Sequence, residues 1–193
     1  IKLMCSIRLS RNYTVKVVNN LFYVITSEAN MINIGIDNKS KIHFLRDVCL
    51  LIQSVTQMIN NCNRVMSKEV TSTIEIVRKM SSLFHRAINN ESPSYKQLKT
   101  VSKMFAAVAK VAYNEELHYL IASFVSHLTL YQPDGADGEQ KMRSLQTAIF
   151  PLFTKCSREQ MNEISASLHE SHREIFRQIT ERWTKEAQYK GKV

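Results

Sequence analysis

Glycine and proline are scarce in this 193-residue chain, with four of one and three of the other. That scarcity excludes collagen-like and low-complexity architectures, and it argues against an all-β fold, which needs many tight turns. No G-x-x-x-x-G-K-[S/T], G-x-G-x-x-G, H-E-x-x-H or G-x-S-x-G occurs, so phosphate-loop, dinucleotide, zincin and hydrolase-elbow chemistry have no support. Cys5, Cys49, Cys62 and Cys156 form no C-x-x-C pair, which removes a zinc ribbon and a dithiol redox site and leaves free thiols as the expectation. No apolar run reaches the ~18 residues of a membrane span. Sequons at Asn12, Asn38 and Asn90 come with no signal peptide. The chain starts at Ile1, and we expect one helical domain over 1–193, the C-terminal fragment of a longer protein, with a distinct C-terminal unit at about 139–193.

What is present is apolar residues at helical spacing. With 44% hydrophobic residues the chain can bury a core. Val17, Val18, Leu21, Phe22 and Ile25 predict a helix over about 13–29. A second is predicted from about Lys41 to Asn61, with Ile42, Leu45, Val48, Cys49, Ile52, Val55 and Ile59 on one face. Ser67 is the expected cap of a third, which carries Val70, Ile74, Val77, Met80, Leu83, Phe84 and Ala87. Pro93 fits the first turn of a fourth, and Ser94 with Gln97 fits a capping box. A fifth follows Asn114, with Leu117, Leu120, Ile121, Phe124, Leu128 and Tyr131 inward, and 133–138 reads as a loop.

Asp137 with Gln140 has capping spacing for the next helix, in which Pro151 should act as a kink or a break. Ser157 with Gln160 and Ser167 with Glu170 have the spacing to cap the last two, the final one striped by Ile175, Phe176, Ile179 and Trp183. The expected fold is all-α, a run of antiparallel helix hairpins resembling a segment of HEAT/armadillo-like α-solenoid, with a compact helical bundle as the alternative.

The charge, +9 overall, is unevenly distributed. Residues 1–112 hold 16 Lys and Arg against six Asp and Glu, a net +10, whereas residues 113–193 hold ten against 11, a net −1. Lys96, Lys99, Lys103 and Lys110 lie opposite Leu98, Val101, Phe105, Val108 and Ala112 at 100° per residue. With Arg64, Lys68, Arg78, Lys79 and Arg86 on the preceding hairpin, they are the candidates for contacts to RNA phosphates without base reading.

Other constellations are weaker. His169 and His172, three apart, read as a solvated first turn rather than metal ligands, and Asp134 and Asp137 as a plain loop rather than a calcium site. His85, His118 and His127 read as structural, and Phe105, Phe124, Phe153 and Phe176 as core. No catalytic residue, cofactor, metal, membrane or small-molecule substrate is expected.

The last fifty residues carry an ordered set of motifs: Cys156-Ser157 closing an aliphatic stretch from Leu145, then Ala166-Ser167-Leu168, then Arg173 and Phe176, then Lys190-Gly191-Lys192. This order resembles the C-terminal domain of the unhealthy ribosome biogenesis protein 2 family over roughly 142–193. Thr147-Ala148 replaces the family's usual Pro-Gly, Pro151 is added, and Lys155 and Ser165 also depart from the pattern. The resemblance implies an α-solenoid scaffold of early pre-60S particles in the nucleolus, active in 27S pre-rRNA processing with other assembly factors and a helicase, and it brings no catalytic residue with it. The alternative function is a helical protein–protein interaction module unrelated to ribosomes.

Overall fold

A computed structural model describes residues 38–89, 91–112, 114–131 and 135–189. The predicted helix over 13–29, Cys5, Asn12, Asn90, Asp134 and Lys190-Gly191-Lys192 lie outside the described residues. Among the described residues every regular element is a helix: α1 Asn38–Asn61, α2 Asn63–Met66, α3 Val70–Ile88, α4 Tyr95–Val111, α5 Asn114–Leu128, α6 Gly135–Thr147, α7 Phe150–Phe153, α8 Arg158–Ser167 and α9 Glu170–Tyr189.

Among the described residues, the apolar stripes read from the sequence are the buried or partly buried ones. Leu45, Val48, Cys49, Ile52, Val55 and Ile59 of α1 meet a core that includes Val77, Met80 and Phe84 of α3 and Leu98, Val101, Phe105 and Val108 of α4. The packing skips along the chain. Helix α4 lies on α1 and then on α6 and α7, while α5 lies on α3 and then on α8 and α9. Two layers result, α1–α4–α6/α7 and α3–α5–α8/α9, joined where α1 meets α3, α3 meets α4 and α9 meets α6 and α7. Stacked helix hairpins and a helical bundle both share such packing.

Several expected boundaries shift. Ser67 does not cap α3: its hydroxyl donates to the Arg64 carbonyl at 3.2 Å, and Glu69 takes the cap position without a side-chain capping bond. Instead the Thr73 hydroxyl contacts the carbonyl oxygens of Glu69 at 2.9 Å and Met66 at 3.2 Å, which ties α3 to the preceding turn. Pro93 precedes Ser94, the extended cap residue, and so stands just outside α4 with its ring buried. Residues 135–138 are helical, not loop, because α6 starts at Gly135 with φ 69°, the left-handed region that glycine enters without a side-chain clash. Asp137 is therefore inside the first turn of α6 instead of capping it. Ser167 belongs to the last turn of α8, donating to the Ile164 carbonyl at 2.8 Å, and α9 starts only at Glu170.

Pro151 breaks its helix as expected: α6 stops at Thr147, and Pro151 falls in the first turn of the short α7, directly after Phe150, where its missing N–H costs nothing. Phe153 of α7 then packs edge-on against Phe176 at 5.8 Å and Trp183 at 5.7 Å between ring centres, closing α9 over the end of the core.

Candidate nucleic-acid interface

Helix α4 is fixed at its start by a capping box. The backbone N–H of Ser94 donates to Gln97 Oε1 at 2.8 Å, and the backbone N–H of Gln97 donates to Ser94 Oγ at 3.4 Å. Its inner face is wholly buried, Val101, Phe105 and Val108 each at 0% exposure. Lys96, Lys99, Lys103 and Lys110 are all exposed and, among the described residues, none makes an ion pair. At 100° per residue the four fall within an arc of about 60°, a narrow row along the helix.

Tyr95 flanks that row and is 38% exposed. Its hydroxyl donates to Asp137 Oδ1 at 3.2 Å, and Asp137 pairs with Lys141 at 2.6 Å, so a small polar clamp from α6 holds the aromatic ring at the head of α4. The Lys141 ammonium, by hydrogen bonding, holds the Asp137 carboxyl below its ordinary pKa. Lys141 also donates to Ser92 Oγ at 3.0 Å, anchoring the turn that leads into α4. Sequence reasoning passed over Tyr95; its one signal was a tyrosine directly after the cap, one residue ahead of the lysine row.

The bases on α3 are in a different condition. Arg78 binds Glu75 through two nitrogens at 2.8 and 2.9 Å, and Lys79 lies 3.4 Å from the same carboxylate. Hydrogen bonding to Arg78 lowers the Glu75 pKa, and part of the α3 charge is thereby neutralised locally. Arg64, Lys68 and Arg86 are exposed.

The C-terminal motif residues have structural roles that spacing alone did not show. Ser157 caps α8 in a second capping box, its Oγ accepting from the Gln160 N–H at 3.2 Å. Leu168 closes α8 as a buried side chain, 6% exposed. Arg173 reaches back from α9 to the carbonyl oxygens of Ser165 at 3.0 Å, Ala166 at 3.5 Å and Leu168 at 3.1 Å, covering the negative end of α8 with a guanidinium. Phe176 is in the aromatic cluster. Burial pushes the half-buried Cys156 thiol up to about 11, so it is protonated at neutral pH. The motif is thus a frame around both ends of α8.

The histidines divide. His85 is 2% exposed, its Nδ1 2.8 Å from the Ser81 carbonyl and its Nε2 without a hydrogen-bond partner, wedged against Phe124 at 5.1 Å and His127 at 5.4 Å. Burial lowers its pKa to about 4. His172 Nδ1 lies 3.2 Å from Ser126 Oγ and links α9 to α5. Cys49 and Cys156 are free thiols, and among the described residues no three His, Cys, Asp or Glu are grouped to hold a metal ion. No helix there is long and apolar enough to cross a membrane.

Among the described residues, fold and site together define an all-helical protein with a row of four exposed lysines, none in an ion pair, along one helix face. The chain belongs to the Urb2/Npa2 family, which matches residues 48–192 and so takes in the basic helices as well as the motif-bearing C-terminus. Comparison with curated proteins and with solved structures found no match. Membership implies a role in ribosome biogenesis, pre-ribosomal partners and a nuclear setting.

Proposed function

We propose that this segment is a non-catalytic scaffold of the nucleolus that acts in early pre-60S particles during 27S pre-rRNA processing, as one helical domain of the HEAT-like α-solenoid kind. Assembly factors dock on its helical surfaces, and pre-rRNA meets the face that carries Lys96, Lys99, Lys103 and Lys110, with Arg78, Lys79 and Arg86 as secondary contacts. The observation that carries this reading is the family match over residues 48–192. Its support on the physical side is the division of labour among charged groups: Arg173 and Arg182 of the C-terminal unit tie one helix to another and Arg177 pairs within α9, whereas the four lysines of α4 make no ion pair among the described residues.

Gradient sedimentation of the tagged full-length protein tests the reading, paired with depletion. We expect co-sedimentation with large-subunit precursors, nucleolar signal, and a fall in 27S species on depletion. A protein that stays in the cytoplasm, clear of precursors, overturns it.

A further inference from the structure

The row on α4 has a feature that a merely solvated lysine face does not need. Tyr95 stands at its head with more than a third of its surface open, and its hydroxyl is already engaged by Asp137, so what it can offer a ligand is its ring more than its polar tip. Lys96 to Lys110 is 14 residue steps along the helix, about 21 Å at 1.5 Å per residue. That length suits a small single-strand site, for which about four or more nucleotides suffice. A straight, narrow row follows one phosphate backbone. Duplex RNA is instead gripped by its shape, across successive grooves, and its bases are stacked away from any side chain.

We propose that α4 binds single-stranded RNA, with Lys96, Lys99, Lys103 and Lys110 along the phosphates and the Tyr95 ring stacked on a base at one end. An acidic protein segment would satisfy the lysines but would leave the tyrosine without a role. The choice of RNA rests on the ribosome-biogenesis reading above. Asp137 and Lys141 act as positioning residues, since they touch Tyr95 and its clamp but not the strand.

The test is fluorescence anisotropy on the intact chain with an unstructured oligouridine of about 12 nucleotides, its duplex counterpart, and polyglutamate as competitor, titrated across roughly 50 to 200 mM salt. The single strand should bind tighter than the duplex, and polyglutamate should compete poorly at equal charge. Replacing the four lysines by glutamine should flatten the slope of log affinity against log salt by about 3, near 0.7 for each phosphate that the variant no longer neutralises. Tyr95→Ala should weaken the strand about tenfold without altering that slope, Tyr95→Phe, which keeps the ring but loses the hydroxyl bond to Asp137, should fall between alanine and the native residue, and Tyr95→Leu, which keeps apolar bulk without a π face, should behave as alanine does. Equal affinity for duplex, displacement by polyglutamate, an unchanged slope in the lysine variant, or unchanged binding by Tyr95→Ala would each overturn the proposal. Co-sedimentation with precursors alongside failure to bind the strand removes this inference alone; strand binding without co-sedimentation removes the ribosomal reading and leaves a nucleic-acid surface.

Discussion

The α4 face and the α8–α9 unit use cations in opposite ways. On α9, Arg177 pairs with Glu174 at 2.7 Å and also with Glu181, Arg173 closes the end of α8, and Arg182 donates to Gln146 at 2.6 Å. Those groups meet their partners within the chain. On α4 the four lysines have no such partner among the described residues, although α4 is packed as tightly as any helix. Net charge alone would have treated the two regions as a basic and a neutral stretch. The pairing shows something sharper: Arg173, Arg177 and Arg182 are answered inside the fold, and the lysine row of α4 leaves an electrostatic demand open to an acidic ligand.

The strongest way to break this comparison is to unseat the C-terminal unit. Phe153→Ala removes a fully buried ring that touches Phe176 and Trp183, and should destabilise the protein by about 3–5 kcal/mol in chemical denaturation. If stability falls by less than about 1 kcal/mol, the aromatic cluster is not what holds α9 in place.

Acid should act where α3 packs on α5. The His85 pKa is depressed from 6.5 to about 4, so the unfolded chain takes up a proton that the folded chain refuses. The stability it confers is whole above pH 6.5 and is lost as pH falls toward 4, about 3 kcal/mol in all at roughly 1.4 kcal/mol per pH unit. Melting at pH 7 and pH 5 should show a steep fall in the native chain and a flatter one in His85→Leu. Equal slopes would mean that His85 is not buried as a neutral ring.

A smaller effect separates the motif from the interface. Arg173→Ala removes the charge-assisted bonds to three carbonyls at the end of α8 and should cost about 1–2 kcal/mol, with RNA affinity unchanged. Loss of RNA binding in an Arg173→Ala protein that melts as the native one does would reverse the assignment of roles.

Helix existence and inward faces were legible because both follow from the 3.6-residue period, and the two Ser-x-x-Gln boxes at Ser94 and Ser157 were legible because both bonds of a box are local. Ser67 and Ser167 have serines in the right composition but find nearer carbonyl acceptors in the preceding turn, so a cap rule that ignores competing local bonds misplaces them. Arg173 was visible as a motif residue and opaque in role, since its three acceptors lie on another helix. The lysine row was legible by angle. The Tyr95 clamp was not, because Asp137 and Tyr95 are 42 residues apart and meet only when α6 packs on α4.

The smallest expected effect is close to zero. Exposed side chains that carry no internal bond contribute little to folding, so replacing Lys96, Lys99, Lys103 and Lys110 with glutamine should shift stability by no more than about 0.5 kcal/mol per site. The sign should favour the variant at low salt, because removing four neighbouring like charges on one helix face relieves repulsion at i,i+3 and i,i+4, and the gain should vanish as salt screens it. A clear loss of stability would mean that the row completes a contact inside the fold, and the contrast with α9 would disappear. A stable variant with weakened RNA binding would locate the function of α4 in its outward face.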